Sequence, residues 1–212
     1  DGKVYRRVSE VFDCWFESGS MPYGQVHYPF ENSEEFTKTF PADFIAEGLD
    51  QTRGWFYTLT ILATALFDQP AFKNIIVNGI VLASDGQKMS KRLKNYPDPL
   101  DVVREFGADA VRLYMLSSNV VKAEDLSFSK AGVENTLRQV LLPYWNAASF
   151  FTTYAKIYSW QPEKMATSFS AEIDRWILSR LSTLVETVDM AMEKYDLSSS
   201  VEPFVRFIDD LT

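Results

Sequence analysis

Cysteine and histidine are almost missing from this chain: one of each, Cys14 and His27, in 212 residues. A lone thiol excludes an internal disulfide framework, and a lone imidazole excludes a His-rich zinc site. Long apolar runs are missing too. The longest are of the order of Ile61 to Phe67, too short to span a bilayer. The N-terminus, Asp1-Gly2-Lys3, shows neither an initiator Met nor a signal-peptide pattern. A soluble protein in a reducing, cytoplasmic setting is expected. An excess of basic charge is also lacking. The net charge is −8, which argues against general nucleic-acid binding and leaves any RNA contact to local clusters. What the chain has is bulk: 46% hydrophobic residues, with 16 Phe, 10 Tyr and 5 Trp, ample for a packed core.

The hydrophobic periodicity changes along the chain. Ser18-Gly19-Ser20 and Met21-Pro22 break any regular element in residues 1–40. Asp43 to Ala46 reads as a short buried strand ending near Gly48. From Asp50, a plausible N-cap, Trp55, Phe56, Leu59, Leu62, Ala63 and Leu66 follow helical spacing. Ile75 to Leu82 is β-branched and reads as a strand interrupted at Asn78-Gly79, and Asp85-Gly86 is a turn. Strand, helix, strand and basic loop suggest part of a parallel α/β sheet. Beyond residue 97 the pattern is helical. Asp98-Pro99 opens a helix that Gly107 stops, Ala108 to Leu116 forms a second, and residues 130–157 and 172–194 form longer ones. Ile173, Trp176, Ile177, Leu181, Leu184, Val185 and Val188 make one stripe of the last. Tyr158 to Ser170, with Pro162, reads as a boundary. Val201, Phe204, Val205, Ile208 and Leu211 continue a helical pattern to Thr212 with no stop signal, as at a cut end.

Three segments could carry chemistry. In Asp85-Gly86-Gln87-Lys88-Met89-Ser90-Lys91-Arg92, two lysines three apart follow a glycine turn. Ammonium groups on such a loop suit polyphosphate, whose charge is spread over several oxygens; read alone, the loop is equally a solvated charged turn. In Ala42 to Tyr57, a strand runs into Gly48 and then into a helix that opens with polar residues. Ligands of parallel sheets bind at such carboxyl ends of strands, where Glu47, Asp50 and Gln51 would stand. Asp50 is as readily a cap, and Trp55 as readily core. The third segment is Val11-Phe12-Asp13-Cys14-Trp15-Phe16-Glu17-Ser18-Gly19-Ser20. Cys14 reads as a small buried hydrophobe, and His27 as a surface or structural residue.

The wording of these segments resembles the isoleucine-type class I aminoacyl-tRNA synthetases. Lys88-Met89-Ser90-Lys91 is similar to the class signature Lys-Met-Ser-Lys-Ser, with Arg92 at the usual Ser. Glu47-Gly48-Leu49-Asp50-Gln51-Thr52-Arg53-Gly54-Trp55-Phe56 and Asp13 to Ser20 are similar to two further blocks of that type. Asn95 to Pro99 and Phe106 to Arg112 look like the start of the helical stem-contact region. The resemblance is strong over residues 8–128. Thr52, Asn78 and Arg92 look like the subgroup of eukaryotes and archaea, found also in some bacteria. The other class signature, His-x-Gly-His, has no counterpart here, since His27 is the single histidine.

The resemblance implies an α/β fold: the second half of a Rossmann-like parallel-sheet nucleotide-binding domain (residues 1–97), a helical stem-contact region (98–165) and the start of a helical anticodon-binding domain (166–212). It implies Lys88 and Lys91 as catalytic residues. It gives ATP and the adenylate Glu47, Gly48, Asp50, Gln51, Asn78, Lys88, Ser90 and Lys91. Trp15 and Trp55 would wall the amino-acid pocket. The implied reaction is ATP-dependent activation of isoleucine and its transfer to tRNA(Ile), with Mg2+ accompanying ATP and no zinc site in the chain. A missing N-terminal half of the catalytic domain and an editing domain would be the remaining partners, so that the 212 residues alone are inactive. Two other readings are a valine- or leucine-type synthetase fragment and a non-catalytic helical module that binds RNA or protein.

Overall fold

A computed structural model describes residues 2–161 and 169–212. The chain divides into two compact units, Asp1–Val77 and Asn78–Thr212.

In the first unit, α1 (Cys14–Gly19), α2 (Met21–Gly24) and α3 (Ser33–Thr39) precede β1 (Ala42–Gly48), a 3-10 turn (Leu49–Arg53), α4 (Trp55–Phe67) and β2 (Phe72–Asn78). Strand, helix and strand follow in the expected order. β1 pairs with β2, and Ala42 N–H donates to the Ala71 carbonyl at 2.9 Å, so the strands start side by side and run the same way. The core lies under α4. Phe36, Phe40, Leu59, Ala63 and Ala71 are buried together, with Tyr28, Phe67 and Trp55 packed around them. Full burial of a side chain such as Leu59 or Phe36 stabilises by roughly 1.5–3 kcal/mol. Phe36, Phe40 and Phe67 meet with ring centroids 4.8–5.1 Å apart.

Three expectations fail in this unit. Residues 1–40 do hold regular elements: α1 runs through Ser18 and Gly19 under the Asp13 cap, and α2 opens with Met21-Pro22, since a proline is accepted in a helix's first turn. Asp43 to Ala46 is a strand, but not a buried one: Phe44 is 51% exposed, because a sheet of two strands has little to cover its faces. Cys14 is exposed rather than buried. It is the first residue of α1, turned away while Gly19 packs on Thr58 and Leu62.

The second unit begins with β3 (Val81–Leu82). It continues with α5 (Pro99–Phe106), α6 (Ala108–Ser117), a 3-10 turn (Asn119–Lys122), β4 (Leu126–Ser127), α7 (Lys130–Thr136), a π turn (Leu137–Leu141), α8 (Leu142–Ile157), α9 (Glu172–Glu193) and α10 (Leu197–Leu211). β3 and β4 are parallel, with Val81 opposite Leu126 and Leu82 opposite Ser127. Asp98 caps α5 by accepting from Leu100 N–H at 2.8 Å, Pro99 occupies the first turn, and Gly107 ends the helix at φ 88°. Val102, Ala110 and Val133 form this unit's core, ringed by Phe106, Tyr114 and Phe128. The helix expected over 130–157 carries a π turn, in which Leu142 N–H reaches back to Leu137 C=O. Pro143 explains it: the ring has no N–H and would collide with the carbonyl of Gln139 in a regular turn.

The stripe on α9 is only partly core. Leu184 is buried, but Ile173 and Val185 are 69% and 55% exposed. Among the described residues α10 is its main partner, buried through Val201 and Ile208 and tied by Arg180 to Asp210 at 2.6 Å; one helix packed along it cannot cover a stripe of seven residues. Pro162 and the boundary at 165/166 lie outside the described residues. No helix among the described residues is long and apolar enough to cross a membrane.

Candidate functional site

Asp13 starts the first cluster. Its carboxylate accepts from Trp15 N–H at 2.7 Å and Phe16 N–H at 3.2 Å, capping α1 and fixing where Trp15 leaves the helix. The Trp15 ring lies against Gly54, where a Cβ would come within 3.0 Å of it. Trp55, one residue on, donates its indole N–H to Ser18 C=O at 2.9 Å. The two indoles, 40 positions apart in sequence, are thus held on neighbouring backbone, Trp55 half-buried and Trp15 44% exposed.

The turn after β1 brings together three more of the residues singled out. Gly48 leaves room for Asp50, whose Oδ1 would lie 2.6 Å from a Cβ at that position. Gln51 Nε2 donates to Asp50 Oδ2 at 3.2 Å, and Gln51 Oε1 accepts from Trp55 N–H at 3.0 Å. Gln51, not Asp50, therefore satisfies the first amide of α4. The 3-10 turn displaces Asp50 a full turn from the helix start, so its carboxylate is left at the surface. Glu47 is exposed near the end of β1. Carboxylates grouped at the end of a strand can accept from hydroxyls or an ammonium group.

The second unit holds the basic loop. Asn78 is half-buried at the end of β2, and its amide group has no partner among the described residues. Gly79 then crosses the backbone of Glu124 so closely that a Cβ would lie 1.9 Å from its carbonyl oxygen. After β3, Ala83 N–H donates to Gln87 C=O, Gln87 N–H donates to Asp85 Oδ1, and Lys88 bridges antiparallel to Leu82. Gly86 turns the chain at φ 79°. Ser90 C=O accepts from Leu93 and Lys94 N–H, so Lys91 and Arg92 ride on the crest of a turn. Lys88, Lys91, Arg92 and Lys94 are exposed, and none of them joins an ion pair among the described residues. Met89 instead faces a cavity of ≈ 240 Å³ lined by Tyr96, Pro97, Val102, Val111 and Phe128. The loop is thus a local cluster of free cations, seated on an apolar base, in an acidic chain.

Sequence reasoning missed Asn95 and Asp125. Asp125 Oδ1 accepts from Ile80 N–H at 3.0 Å, and the Asn95 side chain bonds to Lys88 and Ser90. Asn95 had a signal, as a turn-former before Tyr96-Pro97; Asp125, 45 positions from its partner, had none. Among the described residues no group of three or more His, Cys, Asp or Glu could hold a metal ion.

The profile of the family described as tRNA synthetases class I (I, L, M and V) matches residues 1–127. An isoleucine–tRNA ligase of Protochlamydia amoebophila is 67% identical over all 212 residues, and one of Chlamydia trachomatis serovar D is 63% identical over the same span. The chain spans about a fifth of the length of these bacterial relatives, 20% of each. Among solved structures, methionyl-tRNA synthetase of Mycobacterium tuberculosis with methionyl-adenylate superposes with a TM-score of 0.70 at 22% identity, covering 88% of this chain and 36% of that one. The LeuRS of Agrobacterium radiobacter K84, in a ternary complex with tRNA and LeuAMS, gives 0.68 at 24% identity, covering 90% and 26%. At such identities the likeness is one of fold: a Rossmann-like parallel sheet followed by helices.

Proposed function

The chain belongs to the class I tRNA synthetases of the I, L, M and V group, and on that premise we propose that it is part of an isoleucine–tRNA ligase. The observation that carries the isoleucine assignment is the 67% identity to such a ligase along the whole chain. In the full protein a carboxylate oxygen of isoleucine attacks the α-phosphorus of ATP, which enters as its magnesium complex. The bond to the bridging oxygen breaks and pyrophosphate leaves. A ribose hydroxyl of tRNA(Ile) then attacks the aminoacyl carbon and AMP departs.

Lys88 and Lys91 stabilise the charge that grows on the leaving pyrophosphate. Their exposure without ion-pair partners among the described residues supports this role, since a paired ammonium would first have to be released. Ser90 and Asn78 serve the nucleotide. Glu47, Gly48, Asp50 and Gln51 hold the ribose and the ammonium group of the adenylate. Trp15 and Trp55 wall the slot for the branched side chain, which their packing about Gly54 and Ser18 supports. Residues 1–97 act in the catalytic domain, 98–165 in the stem-contact region and 166–212 in anticodon binding. The full protein adds the rest of the catalytic domain and an editing domain, works in the cytoplasm, and these 212 residues alone do not activate isoleucine. We read Thr52, Asn78 and Arg92 as marks of the subgroup of eukaryotes and archaea that some bacteria share. The test is ATP–pyrophosphate exchange by the full protein with isoleucine, valine, leucine and methionine. Isoleucine should be preferred by a hundredfold or more, on the order of 3 kcal/mol; equal or greater exchange with another of the four overturns the assignment.

A further inference from the structure

The basic loop rises from the second unit between two supports. On one side Lys88 bridges to Leu82 and Gln87 C=O accepts from Ala83 N–H. On the other side no strand lies among the described residues. The place is taken by one side chain: Asn95 Oδ1 accepts from Ser90 N–H at 2.9 Å, and Asn95 Nδ2 donates to Lys88 C=O at 3.2 Å. Bonding to the carbonyl before Met89 and to the amide after it is what a residue of a neighbouring parallel strand would do. A primary amide can reproduce it because it carries one acceptor and one donor group in a plane. Neither a carboxylate nor an ammonium could serve both ends.

The chain returns Asn95 to this position by a turn over residues 90–95, closed by Leu93 and Lys94 N–H on Ser90 C=O and by Lys94 in the left-handed region at φ 50°. Lys91 sits on the crest of that turn and Lys88 at its foot. Asn95 is half-buried, as are Met89, Ser90, Tyr96 and Pro97, while the cations between them are exposed. The clasp lies on the half-buried side of the loop and the charges on the exposed side.

We infer that Asn95 is a positioning residue for adenylate formation: its amide holds the Lys88–Ser90 backbone so that the Lys88 and Lys91 ammonium groups meet the departing pyrophosphate together. The inference rests on the proposed role of the two lysines. Its effect belongs to the activation rate and not to ground-state binding, because a loosened loop still presents its charges but spends less time with both in place.

The experiment uses the full-length protein and single-turnover formation of isoleucyl-adenylate across ATP concentrations. Asn95→Ala removes both bonds and should lower the rate constant roughly tenfold to a hundredfold, with the half-saturating ATP and isoleucine concentrations little changed. Asn95→Asp keeps the acceptor for Ser90 N–H and loses the donor to Lys88 C=O, so it should fail to restore the rate. Lys91→Ala and Lys91→Ala/Asn95→Ala are measured alongside. With Lys91 gone there is less to position, so the second substitution should cost clearly less than it does in the native enzyme. An equal cost in both backgrounds would mean that Asn95 supports the fold at large, and would overturn the inference, as would an Asn95→Ala enzyme with the native rate. If Lys91→Ala itself left the rate unchanged, the reading of the lysines would fail first, a distinct result.

Discussion

Replacing Gly79 by alanine should break the second unit at its first crossing. The backbone at Gly79 has an ordinary φ, so a methyl group there is not excluded by conformation. It is excluded by space. The new Cβ would stand 1.9 Å from Glu124 O, 2.3 Å from Glu124 C and 2.9 Å from Glu124 N, all backbone atoms that no rotamer change can move aside. The two segments would have to separate by more than an ångström. The bonds that hold them are Gly79 N–H to Val120 C=O at 2.7 Å, Ile80 N–H to Asp125 Oδ1 at 3.0 Å and Leu126 N–H to Ile80 C=O at 2.9 Å. Losing two or three of these, at about 1 kcal/mol each, together with overpacking strain of about 1–3 kcal/mol, gives a cost of about 3–6 kcal/mol. That is a large share of the roughly 5–15 kcal/mol that stabilises a typical domain. Urea unfolding followed by tryptophan fluorescence would measure it. Trp15 and Trp55 belong to the first unit and Trp145, Trp160 and Trp176 to the second, so a Trp15→Phe/Trp55→Phe background confines the signal to the second unit. A Gly79→Ala midpoint equal to that of the parent, with an unchanged slope, would refute the reasoning.

Lys91→Ala in the full-length enzyme should slow adenylate formation by a hundredfold to a thousandfold, about 3–4 kcal/mol, with isoleucine affinity nearly unchanged; weakened isoleucine binding at a native rate would contradict the phosphate role. Lys91→Arg should rescue only partly, and Arg92→Ser should be mild. Gln51→Leu leaves the Trp55 amide without its acceptor, so thermal unfolding of the 212-residue chain should show a loss of about 1 kcal/mol, and Asp50→Leu a smaller one; the reverse order would restore Asp50 as the cap. The Ser199 hydroxyl, and then the Ser199 backbone N–H, hold the Asp196 carboxyl below its ordinary value. Its contribution is therefore present above that ordinary value and is lost as pH falls through the lowered one. Asp196→Asn, an equally good cap, should leave neutral-pH stability within a few tenths of a kcal/mol and flatten the acid end of the urea midpoint–pH curve. An unflattened curve would remove Asp196 from that account.

Local chemistry was readable where one residue type settles the backbone. Asp98-Pro99 and Gly107 bracket α5, the first by capping and a fixed φ and the last by its freedom at positive φ, and Asn78-Gly79 and Asp85-Gly86 fall where the strand breaks and the loop turns. The segment wording also pointed to Trp15 and Trp55 as neighbours, which no periodicity could do. The misreadings involve longer range or competing local structure. Asp50 has the right chemistry for a cap, but the 3-10 turn hands that task to Gln51. Pro143 lies within a good helical pattern, and its consequence, a widened turn rather than a break, depends on what surrounds the helix. Exposed Cys14 and the half-covered α9 stripe follow from how many neighbours each element has, a quantity that hydrophobic spacing does not contain. The Asn95 clasp went unseen because an asparagine before Tyr-Pro is adequately explained by its own turn.

The pairing of β1 with β2 alone has a practical side. Each strand has one lateral edge with no further strand among the described residues, and such an edge is a template on which any extended peptide can crystallise its own backbone. Phe44 and Ile75, 51% and 45% exposed, add greasy side chains beside that template. Samples of these 212 residues are therefore expected to change state with concentration, and light scattering over a dilution series, with far-UV circular dichroism to show that the fold is kept, would test whether the open edges add to one another.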